Sequence, residues 1–417
     1  MGKLKAFDIV FDGFKNVFYP GQQVSGKCVV DLKGDMKLKA LRVFMRGMAK
    51  VHWTESRSTG NRLGAYTEHY NAEIEYFFKG QTLFGSESGD GRDTLNEGHH
   101  EFNFSFQLPT SGIPTSFEGK YGSVRYWLKA EVDKPWAFNH KTKKAFTVIC
   151  PTDINRNEYL MPVENSVEKA LCCWCCTSGP ISLYARTDRK GYCPGESIAI
   201  TADFENLSGR CVVPQATLQQ TQTFLAGGKS RSRRCEFTRV TGLAIQPGRA
   251  ANWDAQLLKI PALAPSIVNC CLIHVQYAVR ITLQIPGAYN LFVELPVVIG
   301  TVPLRSRPPH YHPQRTLLGT TLGEPRLDLY PPAPPYMEMM GPQNEPPPTY
   351  AECIDGSVDI RDDEDDGVVG DTRFTPMYAY VQDYLYHPPP AYSEVDPNPR
   401  HPSLEPTSDD SPECEAR

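Results

Sequence analysis

The chain has 417 residues, with 43 Lys and Arg against 48 Asp and Glu, 36 Pro, 13 Cys and 40% apolar residues, a length that suggests two or three domains. Its charge is divided: residues 1–300 hold 35 basic and 27 acidic residues (net +8) with 14 Pro, while 301–417 hold 8 basic and 21 acidic (net −13) with 22 Pro. There is no run of about 18 apolar residues, which argues against a transmembrane helix, and the start Met1-Gly2-Lys3-Leu4-Lys5 leads into alternating residues rather than a signal-peptide core.

A segment as rich in Pro and acid as 301–417 buries too little apolar surface to offset its ordering entropy, so it reads as a disordered tail behind a folded body. With no secretory signal, the odd number of cysteines reads as reduced thiols in a cytosolic protein. Gly2 is a poor myristoylation site because Ala6 stands where Ser or Thr is favoured.

Along the chain the periodicity is that of strands. Phe18-Tyr19-Pro20-Gly21-Gln22 marks a turn before the first of them. In Glu101–Leu108, Phe102, Phe104, Phe106 and Leu108 alternate with polar residues, as do Val124, Tyr126, Leu128, Ala130 and Val132. Asp153-Ile154-Asn155 leaves a strand, and a Cys-rich stretch follows before Ile181, which places a domain boundary between 150 and 180. Tyr192-Cys193-Pro194-Gly195-Glu196 then repeats the earlier turn ahead of Ile198, Ile200, Ala202 and Phe204. The strongest run is Cys271–Ile285, in which Cys271, Ile273, Val275, Tyr277, Val279, Ile281, Leu283 and Ile285 share one face; a helix would scatter them.

Ser116, Tyr126 and Lys129 are echoed by Ser266, Tyr277 and Arg280, so two copies of one architecture are expected. Short strands, Pro and Gly punctuation and the lack of long amphipathic helices predict β-sandwiches.

Several blocks are longer than pattern alone explains: residues 6–55 with His52–Ser56 (HWTES), Thr115–Ala130, Gly179–Glu196, Val212–Ala216 and Leu295–Leu304. Together they resemble the arrestin domain-containing proteins, the α-arrestin family. The resemblance implies an all-β chain with two tandem arrestin-type sandwiches: an N-terminal domain over 1–149, a linker with the Cys-rich stretch over 150–177, a C-terminal domain over 178–300 and the tail over 301–417. It implies no catalysis and no cofactor. Such proteins are adaptors that bring WW-domain, HECT-type ubiquitin ligases to membrane receptors or transporters and guide their endocytosis and lysosomal degradation, working in the cytoplasm and peripherally at plasma membrane, endosomes and lysosomes.

The tail carries two PPxY segments, Pro347-Pro348-Thr349-Tyr350 and Pro389-Pro390-Ala391-Tyr392. Consecutive prolines preset the polyproline II conformation, so docking in an aromatic-lined WW groove costs little ordering entropy, and the Tyr fills a neighbouring pocket. Ala333-Pro334-Pro335-Tyr336 lacks the first Pro, and Pro331–Pro335 suits an SH3-type groove instead. The two tyrosines are 42 residues apart, a flexible span of roughly 35 Å, which suits bivalent engagement of tandem WW domains. The tail has no Lys, so any ubiquitin attached to a lysine goes to the body, whose last candidate is Lys259.

Other constellations keep more than one reading. Cys172, Cys173, Cys175 and Cys176 form overlapping Cys-x-x-Cys pairs; with no second pair to complete a zinc site, a linker role, S-palmitoylation and metal binding rank in that order. Lys229, Arg231, Arg233 and Arg234, with Arg239, read either as solvated strand charge or as an anion-accepting face for acidic cargo, inositol lipids or the run Asp362–Asp366. Lys37, Lys39, Arg42, Arg46 and Lys50 form a second such cluster. The body is not basic enough, and lacks the interleaved aromatics, for nucleic acid.

His99-His100 read as surface loop histidines with no catalytic set at a recognisable spacing. Tyr378-Ala379-Tyr380-Val381 and Tyr392-Ser393-Glu394-Val395 fit the loose Tyr-x-x-apolar sorting pattern. Two other functions compete with the adaptor: a sorting scaffold independent of ubiquitin, and a redox regulator. One branch of the resembled family binds thioredoxin through a cysteine three residues before a Trp; here Ala250 precedes Trp253.

Overall fold

Strand alternation buries one face of each segment, and sandwiches follow from pairing those faces. The computed structural model describes residues 3–14, 16–58, 65–86, 93–135, 138–173, 176–304, 357–361, 365, 367–378, 381–382 and 385–386. The N-terminal sandwich runs through β1 (Lys3–Phe11), β2 (Val17–Phe18), β3 (Gln23–Lys33), β4 (Met36–Leu38), β5 (Ala40–Ser58), β6 (Ala65–Gly85), β7 (Asp93–Leu95), β8 (Gly98–Gln107), β9 (Phe117–Gly119), β10 (Gly122–Asp133) and β11 (His140–Val148). One sheet has the order β1-β3-β8; the facing one runs β2-β11-β10-β5-β6, with β9 beside β10. Val124, Tyr126, Leu128, Ala130 and Val132 of β10 are buried, as the alternation requires.

A short helix α1 (Asn157–Leu160) leads to the C-terminal sandwich: β12 (Val163–Cys173), β13 (Cys176–Thr187), β14 (Gly191–Tyr192), β15 (Ser197–Asn206), β16 (Val213–Ala226), β17 (Lys229–Thr241), β18 (Arg249–Lys259), β19 (Ile273–Gln284) and β20 (Leu291–Ile299). Its sheets are β12-β13-β15-β18 and β14-β20-β19-β16-β17.

Part of the stretch expected as a linker is therefore a strand. β12 pairs antiparallel with β13 from Val163↔Thr187 to Cys173↔Cys176, and its mixed polarity suits an outer strand with one face in water. Cys271 is exposed rather than on the buried face of β19, because the strand begins two residues later at Ile273.

The internal echo is structural. Gly21 and Gly195 sit at φ +80° and +94° behind their prolines, and Gln22 N and Glu196 N donate to Tyr19 O and Cys193 O at 3.1 Å. Both are turns in which Pro presets the second position and Gly supplies the positive φ of the third. Each turn follows a two-residue strand that pairs parallel with the last strand of its sandwich, β2 with β11 and β14 with β20.

The two sandwiches share a seam. Tyr76 Oη lies 3.3 Å from Cys270 Sγ, and Tyr121 meets Phe224 edge to face at 5.7 Å. Asp153 bridges Val302, and Thr301 Oγ1 accepts from Thr152 N at 2.8 Å.

The tail is not uniformly without structure. β21 (Val358–Asp359), β22 (Val368–Val369) and β23 (Arg373–Phe374) lie on the N-terminal sandwich, and β24 (Val381–Gln382) pairs with β25 (Leu385–Tyr386). No helix among the described residues is long and apolar enough to cross a membrane.

Candidate functional site

Lys129 on β10 and Lys143 on β11 are directly opposed across the strand pair. Like charges in that position destabilise a sheet unless an anion joins them. Asp365 of the tail supplies it: Lys129 Nζ is 2.7 Å from Oδ1 and Lys143 Nζ 2.6 Å from Oδ2. The Lys143 and Asp365 side chains are 2% and 1% exposed, so water screens this pair little. Lys143 Nζ also donates to Ile360 O at 3.0 Å and lies 4.5 Å from the centroid of the Trp127 ring.

Around that ion pair the described tail residues 357–361, 365 and 367–378 form a clasp. β22 adds parallel to β11, with Val368 beside Lys141 and Val369 beside Thr142, and β21 folds back antiparallel on β23. Ile360 and Phe374 are buried. Met377 N donates to Thr147 Oγ1 at 3.1 Å, and Tyr378 Oη donates to Ser116 O at 2.7 Å. Between clasp, β1 and β11 a cavity of 490 Å³ remains, lined by Phe7, Phe11, Asn16, Thr147 and Phe374 among others.

Of the acidic run Asp362–Asp366, anticipated as a ligand for basic residues, Asp365 lies among the described residues, and it docks on a different face from the cluster of β17. There Lys229 Nζ donates to Tyr70 Oη at 2.6 Å, and Arg231 donates to Thr54 O at 3.2 Å while lying 4.3 Å from the Tyr121 ring centroid. Both cations reach across the seam to the N-terminal sandwich. Arg233 is half-buried and Arg234 exposed on the same strand, and Arg239 pairs with Glu236 at 2.8 Å. In the other basic cluster, Arg42 meets Asp133 at 3.7 Å, Arg46 meets Glu75 at 2.6 Å and Lys50 meets Glu73 at 3.7 Å, which is cross-strand surface pairing.

His99 belongs to an exposed row on β3 and β8, with Nδ1 2.6 Å from Asp31 Oδ1 and Nε2 3.5 Å from Glu101 Oε1. Hydrogen bonding to those carboxylates raises its pKa. Glu118 accepts both prongs of Arg125, at 2.6 and 2.9 Å. Burial pushes its carboxyl up while Arg125 pulls it down. Among the described residues no group of three or more His, Cys, Asp and Glu is placed to hold a metal ion.

Both PPxY segments lie outside the described residues, as do Ala333–Tyr336, Tyr392–Val395, Cys175 and the side chains of Cys172, Cys173 and Cys176; the backbone of Cys172 and Cys173 ends β12 and that of Cys176 opens β13. Tyr378 is held in the clasp. Ala250 faces Glu205 from the outer strand β18 and lines an open hollow of 620 Å³ on the outer face of that sheet, where it offers no thiol. The sequence reading missed Lys129 and Lys143 as partners of the tail, and Tyr378 as a tail residue that docks on the body through Ser116 O. The signal was a basic run, Lys141-Thr142-Lys143-Lys144, in a strand facing another lysine, and it becomes readable only once the register is known.

Comparison with known proteins agrees with this architecture. The model of the arrestin (or S-antigen) N-terminal domain matches residues 7–155, and that of the arrestin (or S-antigen) C-terminal domain matches 177–304. Arrestin domain-containing protein 4 of Mus musculus is 35% identical over 404 residues, covering 95% of this chain and 94% of the relative, and that of Homo sapiens is 36% identical over 406 residues with the same coverage. Thioredoxin-interacting protein of Homo sapiens is 32% identical over 403 residues, covering 95% of this chain and 97% of the relative.

Proposed function

The chain belongs to the arrestin family, in its α-arrestin branch, and from that premise we propose that it is a non-enzymatic adaptor joining a WW-domain, HECT-type ubiquitin ligase to membrane receptors or transporters. The observation that carries the reading is the pair of PPxY segments behind two arrestin sandwiches. Pro347, Pro348 and Tyr350, and again Pro389, Pro390 and Tyr392, present preset polyproline II ligands with one aromatic anchor each. The sandwiches select the cargo. The ligase then delivers ubiquitin by proximity, and endocytosis and lysosomal degradation of the cargo follow. The site of work is cytoplasmic, peripheral to plasma membrane and endosomes.

The full chain, intact and with Tyr350→Ala and Tyr392→Ala combined, is titrated against purified tandem WW domains of a HECT-type ligase. Low-micromolar or tighter binding, about −8 kcal/mol or better, is expected for the intact chain and is lost in the variant. Unchanged binding by the variant would remove the ligase arm and leave a scaffold that sorts cargo without ubiquitin. The redox alternative draws no support from β18, since Ala250 cannot form a mixed disulfide.

A further inference from the structure

We propose that the tail withholds the amines of the body from the ligase it recruits, and that Lys129 and Lys143 are latent ubiquitin acceptors which Asp365 keeps closed. The inference rests on the ligase reading above and extends it to the direction in which ubiquitin travels.

The first observation is compositional. The body holds 19 Lys and 16 Arg, yet all eight basic residues of 301–417 are Arg. For solubility and charge balance either cation serves equally well. They differ in chemistry: a lysine amine can lose its proton and act as a nucleophile, whereas the guanidinium stays protonated and cannot. The part of the chain that carries both ligase motifs therefore offers no acceptor.

The second observation is geometric. The clasp lies between the motifs, with Ser357 seven residues after Tyr350 and Tyr378 eleven residues before Pro389. At no more than about 3.5 Å per residue, those tethers hold a bound WW domain within roughly 25 to 40 Å of the clasp. The body surface beneath is rich in lysine: Lys129, Lys141, Lys143 and Lys144 all lie on β10 and β11. The two under the clasp are occupied, with Lys143 2% and Lys129 18% exposed and both ammonium groups on the Asp365 carboxylate. Lys144 donates to Ile9 O at 2.8 Å and lies 3.8 Å from Asp8.

Transfer needs a neutral amine at the carbonyl carbon of the ubiquitin thioester on the ligase cysteine. The N–C bond forms, the C–S bond breaks, the thiol leaves and the amine proton passes to solvent. An ammonium buried on a carboxylate meets neither condition. With the clasp shut, ubiquitin charged on the ligase passes to the cargo; with it open, two amines stand within reach of the docked ligase.

The test is a reconstituted reaction with ubiquitin, activating and conjugating enzymes and a HECT-type ligase with tandem WW domains, acting on the full chain. Modified lysines are located by mass spectrometry, and ligase capture by each variant is measured separately. Asp365→Asn is expected to raise modification at Lys129 and Lys143 by about tenfold or more relative to Lys229, as the loss of one partner of a buried ion pair shifts the clasp toward open. A Gly/Ser segment of equal length in place of 357–378 reaches the same end without relying on one side chain. Arg315→Lys and Arg400→Lys, each placing an amine in the tail, are expected to become the main acceptors. Equal modification of Lys129 and Lys143 in wild type and Asp365→Asn, with ligase capture intact, overturns the gate; unmodified lysines at 315 and 400 overturn the reading of the Arg-only tail. Failure of the intact chain to capture the ligase points instead to the parent reading.

Discussion

Each sandwich is pinned by one tyrosine and one serine. Tyr126 Oη donates to Pro114 O and Tyr277 Oη to Ala264 O, both at 2.6 Å, while Ser116 Oγ accepts from Val148 N at 2.9 Å and Ser266 Oγ from Ile299 N at 3.0 Å. Burial raises both phenol pKa values, so each hydroxyl stays a neutral donor. Tyr126→Phe orphans the Pro114 carbonyl at a cost of about 1–3 kcal/mol. Tyr277→Phe costs more, because it also takes the acceptor used by Gln220 at 2.5 Å. Thermal unfolding followed by circular dichroism should show both midpoints lowered, Tyr277→Phe the further; two unchanged midpoints would refute the pinning role. His99 gives a pH-dependent case. Its folded pKa is raised above the ordinary value of about 6.5, so the stabilisation is full below that value and is lost as pH rises through the folded one. An NMR titration of the imidazole should show this raised value and its fall in Asp31→Asn.

At the scale of elements, what is local in sequence was legible and what depends on register was not. The alternation in Val124–Val132 and the Pro-Gly turns at Pro20 and Pro194 foretold buried faces and paired turns, because side-chain direction and backbone preference are set within a few residues. The role of β17 was hidden, since Lys229, Arg231, Arg233 and Arg234 look alike as letters and differ only by what stands across the seam. Lys129 and Lys143 were hidden for the same reason: fourteen residues separate them in sequence, and pairing of β10 with β11 sets them face to face. The PPxY segments, by contrast, are legible without any fold, because their conformation is built into proline itself. From β17 comes a testable contrast. Arg231→Ala removes the bond to Thr54 O and the stacking on Tyr121, a loss of about 1–2 kcal/mol where the cation is partly desolvated. Limited proteolysis between the domains should quicken in Arg231→Ala and stay unchanged in Arg234→Ala, whose side chain lies on the exposed face; equal rates in all three proteins would count against the seam contact.

For the whole molecule, the decisive fact is that body and tail carry opposite net charge, +8 over 1–300 and −13 over 301–417. Opposite fields draw the tail to the body, but long-range attraction alone is screened within about 10 Å at 0.1 M salt and selects no site. Selection comes from the buried contact. The Lys129–Asp365–Lys143 group, the β22 strand on β11 and the apolar seats of Ile360 and Phe374 act together on one sheet edge. Without the clasp, two lysines would oppose each other with no carboxylate between them, and β11 would show open backbone groups over Lys141–Thr142, a template for pairing with another chain. A full-length chain with 357–378 replaced by Gly and Ser should therefore lose hydrogen-exchange protection along the outer edge of β11, and it should self-associate more readily as salt screens the two lysines. Because Asp365 is buried, raising salt to 0.5 M should leave protection in the wild-type chain largely intact, whereas an attraction resting on net charge alone would lose it. Wild-type protection that falls with salt as fast as that of the replaced chain would show that the clasp is held by the diffuse field and not by the buried contact.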